Sequence, residues 1–178
     1  MSNVNSPFGF KPIATKTGGA IPAPRPFVLT TGSTLYIGDP VIKTSAGTVS
    51  PSAAGQTTAH LGICASYCDD SASAAGKVVY VYTDPNILYA VQVGTGVTCS
   101  SQTYVFNTAD HITYATGSTT TYNSVMALDT IGTSMKPWEI LGLYDDGKNA
   151  WGSCCIVIVQ YNPSCLLGLA TPYGYGGI

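Results

Sequence analysis

Soft metal ligands come close together once in this chain, in the segment HLGICASYC. His60, Cys64 and Cys68 follow one another at intervals of four residues, so they would share one face of a helix. The glycine and the β-branched isoleucine between them favour a strand instead, on which the three side chains would lie far apart. No second ligand pair with zinc-like spacing occurs in the sequence. The pattern therefore predicts no metal and no cofactor.

A nucleophile with a matching base is equally hard to find. Histidine occurs only at His60 and His111, and no Gly-x-Ser-x-Gly sequence is present. Asp110 directly precedes His111, and adjacent side chains of an extended segment seldom meet. Glu139 is the single glutamate, so a pair of catalytic carboxylates would need aspartates. These observations predict that the protein is not an enzyme.

The segment 142–149, GLYDDGKN, has the glycine spacing of a phosphate-binding loop. Asn149 stands where a serine or threonine would reach a metal ion, and Asp145 and Asp146 would repel phosphate. A phosphate loop also leads into a helix N-terminus, whereas the residues that follow here favour a strand. We interpret the segment as a turn between two strands.

The six cysteines are interpreted as mostly reduced, buried thiols. A chain of 178 residues can build a core without disulfide bonds, and its first residues contain no continuous apolar stretch typical of an export signal. Cys154 and Cys155 are adjacent, so on a strand they would point to opposite faces and could not easily pair with each other. We therefore expect synthesis in a cytoplasm.

Low charge is the most unusual property of the composition. Charged residues make up 9% of the chain, against about a quarter in average soluble domains. The net charge of −2 and the scattered cations leave no basic footprint for nucleic acid. The longest apolar run, 154–159, is far shorter than the roughly 20 residues that cross a bilayer. A surface with so few charges is prone to associate, and we expect it to contact other proteins rather than nucleic acid or membrane.

Short β-rich runs separated by Gly, Pro and Asp predict an all-β fold, an antiparallel barrel or sandwich with an extended N-terminal arm. The strongest local signal is a hairpin of 77–83 and 87–93 around Asp84-Pro85-Asn86, with both strands covered on both faces. We expect an arm at 1–26, a β-domain at 27–165 and a Gly/Tyr-rich tail at 166–178. The other predicted strands are 27–31, 34–37, 41–43, 60–67, 103–106, 122–128, 139–144 and 150–161.

The arm is the predicted contact segment. Five prolines within residues 1–26 deny it the donors that a sheet interior requires, so we expect it to be mobile until a neighbour fixes it. Large aromatic and proline side chains in the arm, and tyrosines in the tail, are the candidate contacts with a partner protein: Phe8, Phe10, Pro12, Tyr173 and Tyr175.

Short motifs spread over most of the chain resemble structural proteins of tailed bacteriophages, in particular capsid decoration (cement) proteins. They are PFGFKP (7–12), LYIGDPV (35–41), LGI (61–63), TDPNILYAVQV (83–93), ILGL (140–143) and VIVQYNP (157–163). The resemblance implies a β-rich body on the outer capsid of a virion, made in the host cytoplasm, that binds the major capsid protein and itself as a dimer or trimer. Such a protein would stabilise the shell by bridging neighbouring subunits. Two alternatives stay open: another virion component (shell, tail or fibre) and a carbohydrate-binding β-domain.

Overall fold

The computed structural model describes residues 3–53, 60–72, 76–113, 117–134, 136–162 and 165, with the backbone alone at position 113. The predicted all-β class is confirmed, and the described part contains β-strands with one short 3-10 turn, Gln102–Tyr104. The strands are β1 Lys11–Thr15, β2 Arg25–Val28, β3 Thr34–Leu35, β4 Pro40–Lys43, β5 Val49–Pro51, β6 His60–Cys64, β7 Cys68–Asp69, β8 Val78–Tyr82, β9 Ile87–Gln92, β10 Thr108–Thr113, β11 Met126–Gly132, β12 Trp138–Leu143 and β13 Ile156–Tyr161.

The strands form two main antiparallel sheets that pack against each other as a sandwich, and neither closes into a barrel. The six-stranded sheet has the order β1-β9-β13-β12-β10-β11, and the five-stranded sheet has the order β2-β8-β6-β4-β5. A small third sheet pairs β3 with β7. Strands that follow one another in sequence often lie in different sheets, so much of the pairing is between distant parts of the chain.

The predicted hairpin is wrong. Both segments are strands, but β8 pairs with β2 and β6, whereas β9 pairs with β1 and β13 in the other sheet. The turn between them forms as its sequence favours, since the Asp84 carboxylate accepts the Asn86 N–H at 2.8 Å. This turn carries the chain from one sheet to the other. Strand β9 is covered on both faces as expected, whereas β8 leaves Val78 and Tyr80 exposed.

The predicted separate arm also needs correction. Strand β1 is hydrogen-bonded to β9 and strand β2 to β8, so residues within 1–26 belong to both sheets. Each strand lies at a sheet edge, where Pro12 and Pro26 are tolerated because one side of an edge strand needs no ladder hydrogen bonds. The expected boundary at residue 26 falls inside β2. The predicted tail, 166–178, lies outside the described residues.

Further strand predictions differ from the structure, and the strand expected at 122–128 begins only at Met126. Residues 103–106 overlap the 3-10 turn instead of forming a strand, and the strand predicted from residue 150 begins at Ile156. Strand β10, which follows that turn, had no sequence-based prediction. The alternation of apolar residues in 103–106 is too short to distinguish a strand from a tight turn.

The larger of two core clusters contains four buried aromatic side chains, Phe10, Tyr89, Trp138 and Tyr161, among aliphatic neighbours. Trp138 is fully buried, and its ring centroid lies 4.1 Å from that of Phe10 and 4.5 Å from that of Tyr161. The second cluster is aliphatic and lies mainly within the five-stranded sheet. Its buried aliphatic members are Leu29, Leu35, Val41, Val49, Val79 and Val81.

Candidate functional site

The motif PFGF reaches the core through a tight backbone crossing. Gly9 N–H donates to the Met126 carbonyl at 3.2 Å, and Phe10 N–H donates to the Gly38 carbonyl at 2.9 Å. Gly9 has a φ of +76°, and a Cβ there would lie 2.5 Å from the Cβ of Ser124. Only glycine fits this crossing without strain. The crossing therefore ties the N-terminal segment to both sheets.

This crossing decides where the predicted contact residues lie. Phe10 is 1% exposed and stacks on Trp138, so its ring is not available to a neighbouring subunit, and that prediction is corrected. Phe8 and Pro12 are half-buried, and both remain accessible from a surface groove. Tyr173 and Tyr175 lie outside the described residues. The structure thus brings Phe8 and Pro12 together and removes Phe10 from the candidate contact set.

The groove beside Phe8 has a volume of about 510 Å³ and is largely apolar. Lys11, which is exposed, and the core residue Phe10 also border it. Both sheets contribute walls, because β1, β9 and β13 belong to one and β6 and β8 to the other. We call it the aromatic groove, and its principal lining side chains are Phe8, Pro12, Ile37, Tyr82, Tyr144 and Ile156.

Three tyrosines pack beside this groove with tilted rings, and we call them the tyrosine stack: Tyr36, Tyr67 and Tyr122. The ring centroids of Tyr36 and Tyr67 are 5.4 Å apart, and those of Tyr67 and Tyr122 are 4.6 Å apart. Tyr122 is 47% exposed and has a left-handed backbone with φ of 58°. Its carbonyl accepts the N–H of Ile37, a groove residue, at 2.9 Å. The tyrosine stack and the aromatic groove are therefore adjacent parts of one surface.

A second apolar surface lies on the outer face of the five-stranded sheet at its β2 edge. Pro26 is opposite Tyr80 and Val28 is opposite Val78 in the register of β2 and β8. Their inward neighbours Val79 and Val81 are fully buried, whereas Val28, Val78 and Tyr80 are 45%, 54% and 48% exposed. We call these four residues the edge patch: Pro26, Val28, Val78 and Tyr80.

A serine–histidine contact that sequence reasoning missed lies in the core. The Ser52 hydroxyl lies 2.9 Å from Nε2 of His60, and the two residues are 2% and 5% exposed. Burial lowers the pKa of His60 to about 3, so its ring is neutral near pH 7. Nδ1 of His60 has no hydrogen-bond partner among the described residues, so no carboxylate orients the ring as a catalytic triad requires. The contact thus pairs one ring nitrogen of His60 with Ser52, and the burial of both residues gives a substrate no access.

The second histidine belongs to the same aromatic cluster. The rings of His60 and His111 are 5.2 Å apart, and Trp138 Nε1–H donates to Nδ1 of His111 at 3.3 Å. Asp110 lies 3.5 Å from the same nitrogen, so the two adjacent side chains do meet, contrary to the expectation from an extended segment. Burial lowers the pKa of His111, and the nearby Asp110 opposes that shift.

Asp39, within the GDP sequence of the crossing, is a buried carboxyl. Its Oδ2 accepts the Tyr36 N–H at 2.8 Å, and the Ser124 hydroxyl donates to it. Burial raises the pKa of Asp39 to about 6, although these two hydrogen bonds act in the opposite direction. The crossing thus contains a buried acid whose pKa lies well above that of an exposed aspartate.

The segment 142–149 includes the end of β12 and forms the turn that its sequence indicates, at the start of the connection to β13. The Asp146 carboxylate accepts the N–H groups of Lys148 and Asn149 at 2.9 and 2.7 Å. The Asn149 amide closes the turn, since it donates to the carbonyls of Tyr144 and Ile156. The aspartates are thus used for turn geometry.

The cysteines are free thiols, and all except the half-buried Cys165 are buried. His60, Cys64 and Cys68 lie on β6 and β7, and among the described residues no three His, Cys, Asp or Glu side chains come together as a metal site. Over the same residues, no helix is long and apolar enough to cross a membrane.

Comparison with known proteins gives no relative. No protein-family model, curated protein or solved structure matches this chain.

Proposed function

We propose that this protein is a structural component of a virion, which binds the outer surface of a tailed-phage capsid and stabilises it by bridging neighbouring major capsid subunits. The edge patch is the observation that carries the proposal. Four apolar side chains stand together on the outer face of a rigid sheet, in a chain with few charges elsewhere. Such a patch is typical of a protein contact surface.

The size of the edge patch is consistent with a contact that is weak in each copy and is repeated at many sites on a shell. Burying one half-exposed valine or tyrosine contributes about 1 kcal/mol, so the patch supplies a few kcal/mol per copy. A shell presents many equivalent sites, and a ligand that binds only the assembled state shifts the equilibrium toward assembly. Pro26 and Arg25 at the edge of β2 disfavour the addition of another strand, so the contact uses the face of the sheet.

The motifs that resemble phage structural proteins contribute mainly to the fold and less to a binding site. Gly38 and Phe10 form the backbone crossing, and Asp84 forms the turn between the sheets. These residues are required for the architecture, and the resemblance therefore concerns the body that presents the edge patch.

The first test is localisation. Cryo-electron microscopy and mass spectrometry of phage particles made from the genome that encodes the chain should find it in stoichiometric amounts on the outer capsid. Its absence from purified particles would overturn the proposal.

The second test is binding of purified protein to capsids that lack it. Val78→Asp and Tyr80→Ala should fold as the unchanged protein does, by circular dichroism, and should lose at least tenfold in affinity. Val4→Ser is the matched control, because Val4 is 77% exposed and lies outside the patch. Unchanged binding of both patch variants would refute the assignment of this surface.

A carbohydrate-binding β-domain is the second candidate, and the tyrosine stack favours it. Exposed aromatic rings are platforms for sugar rings, and the exposed Tyr122 is followed in the sequence by Asn123, which is also exposed. Glycan-array binding that disappears in Tyr122→Ala and persists in Val78→Asp would support this candidate.

A further inference from the structure

Phe106 combines two unfavourable features at one position. Its φ is +67°, a left-handed conformation that a bulky residue rarely adopts, and its side chain is 72% exposed. The backbone there is fixed, because Phe106 N–H donates to the Ile140 carbonyl at 2.7 Å and Ile140 N–H donates to the Asn107 carbonyl at 2.9 Å. Glycine would remove both the strain and the exposed ring. A phenyl ring held outward at such a position indicates a contact outside the molecule.

The aromatic groove is a suitable receptor for this ring. Its volume of about 510 Å³ exceeds that of a phenyl side chain, and its lining offers the rings of Phe8, Tyr82 and Tyr144. Aromatic pairs contribute beyond the area that they bury, and well-packed aromatic anchors dominate protein interfaces. The groove and Phe106 are thus chemically complementary.

Phe106 is 72% exposed and does not line the groove of its own copy, so the ring and the groove do not satisfy each other within one molecule. The groove is bordered by β1, β9 and β13, whereas Phe106 precedes β10, which lies beyond β12 in the same sheet. The two places also carry opposite charges. Lys11 borders the groove, and Glu139 lies on β12, the strand that accepts the Phe106 N–H, where its carboxylate also accepts a hydrogen bond from the Gln160 amide.

We propose that Phe106 of one copy inserts into the aromatic groove of a second copy. The contact is head-to-tail, so repetition gives a closed ring or a chain of subunits. This self-association goes beyond the proposed function, because it requires no capsid and is measured with the purified protein alone. Its failure would leave capsid binding by the edge patch untouched.

The test uses complementary variants of the full chain in analytical ultracentrifugation. Phe106→Gly removes the anchor and keeps the groove, whereas Ile37→Lys places a charge in the groove and keeps the anchor. Each variant alone should associate at least tenfold more weakly than the unchanged protein. An equimolar mixture should form a 1:1 dimer that does not grow, because its remaining groove is blocked and its remaining anchor is absent.

Several controls keep the result decisive. Asn123→Trp, at an exposed residue, blocks the groove by bulk if Ile37→Lys fails to fold. Val78→Ala, in the edge patch, should associate as the unchanged protein does. At a concentration low enough that the unchanged protein is monomeric, Phe106→Gly should unfold at an equal or higher temperature, and a lower temperature there would assign the ring to internal packing and overturn the proposal. An unchanged protein that stays monomeric at high concentration, or a mixture that stays monomeric, would overturn it as well.

Discussion

Replacement of Asp39 by asparagine should change the pH dependence of stability. The carboxyl is 5% exposed, and burial raises its pKa to about 6 from an ordinary value of 3.8. Because the folded state holds this proton more tightly than the unfolded chain, protonation stabilises the fold. The free energy of unfolding should therefore fall as the pH rises from about 4 to about 6. Asparagine carries no charge at any of these pH values.

The size of the effect follows from the shift. A change of about two pKa units corresponds to about 3 kcal/mol. The side-chain carbonyl of the introduced asparagine can still accept the Tyr36 N–H, so the main hydrogen bond of Asp39 is retained. The stability of Asp39→Asn relative to the unchanged protein should therefore increase by about 3 kcal/mol between pH 3 and pH 7.

Urea unfolding followed by tryptophan fluorescence is a suitable assay, since Trp138 is fully buried. The quantity compared is the difference in the free energy of unfolding between Asp39→Asn and the unchanged protein at each pH. The contributions of groups common to both proteins, including the two histidines, cancel in this difference. A difference that stays constant from pH 4 to pH 7 would refute the reasoning and show that Asp39 has an ordinary pKa in the folded state.

Three other substitutions test the core and the sheets. His60→Gln should reduce acid sensitivity, because burial lowers the pKa of His60 to about 3 and the unfolded chain therefore takes up the proton first. About 2 kcal/mol of stability should be lost between pH 6.5 and pH 4.5 only where His60 is present. Phe10→Ala should cost about 3–5 kcal/mol in urea unfolding by opening a cavity against Trp138, with Phe8→Ala as the milder control. Gly62→Ala should cost about 2 kcal/mol or more, because its Cβ would lie 2.0 Å from the Tyr82 carbonyl oxygen. Gly142→Ala, whose Cβ would contact nothing within 4 Å, should change the same unfolding midpoint little, and equal losses for both glycines would contradict the steric argument.

Part of the candidate surface was predictable and part was not. Phe8 and Pro12 stand out in the sequence as apolar residues in a proline-rich segment, and both line the aromatic groove. Phe10 has the same local context, yet it is buried against Trp138, a residue 128 positions away. Nothing local distinguishes Phe8 from Phe10. The exposure of Phe106 could not be predicted from the sequence either, because its positive φ depends on hydrogen bonding to the β12 backbone.

The sequence alone determined the class of the fold. Short β-branched runs interrupted by Gly, Pro and Asp exclude long helices, and the apolar residues on both faces of 87–93 required a strand covered on both sides. It also determined the low charge that makes the surface prone to association. These properties depend on residue type and local spacing.

Only the tertiary structure decided which strands pair. The turn at Asp84 fixes a local bend, but the bend is compatible with a hairpin or with a crossing between sheets, and the burial of β9 between β1 and β13 selects the crossing. The proline-rich N-terminal segment likewise becomes two edge strands, because an edge supplies a partner on one side and requires no donor on the other. The Ser52–His60 contact and the aromatic groove follow from the same long-range packing. This contact and this groove form where distant segments of the chain pack together, and the local sequence does not predict which distant segments will pack.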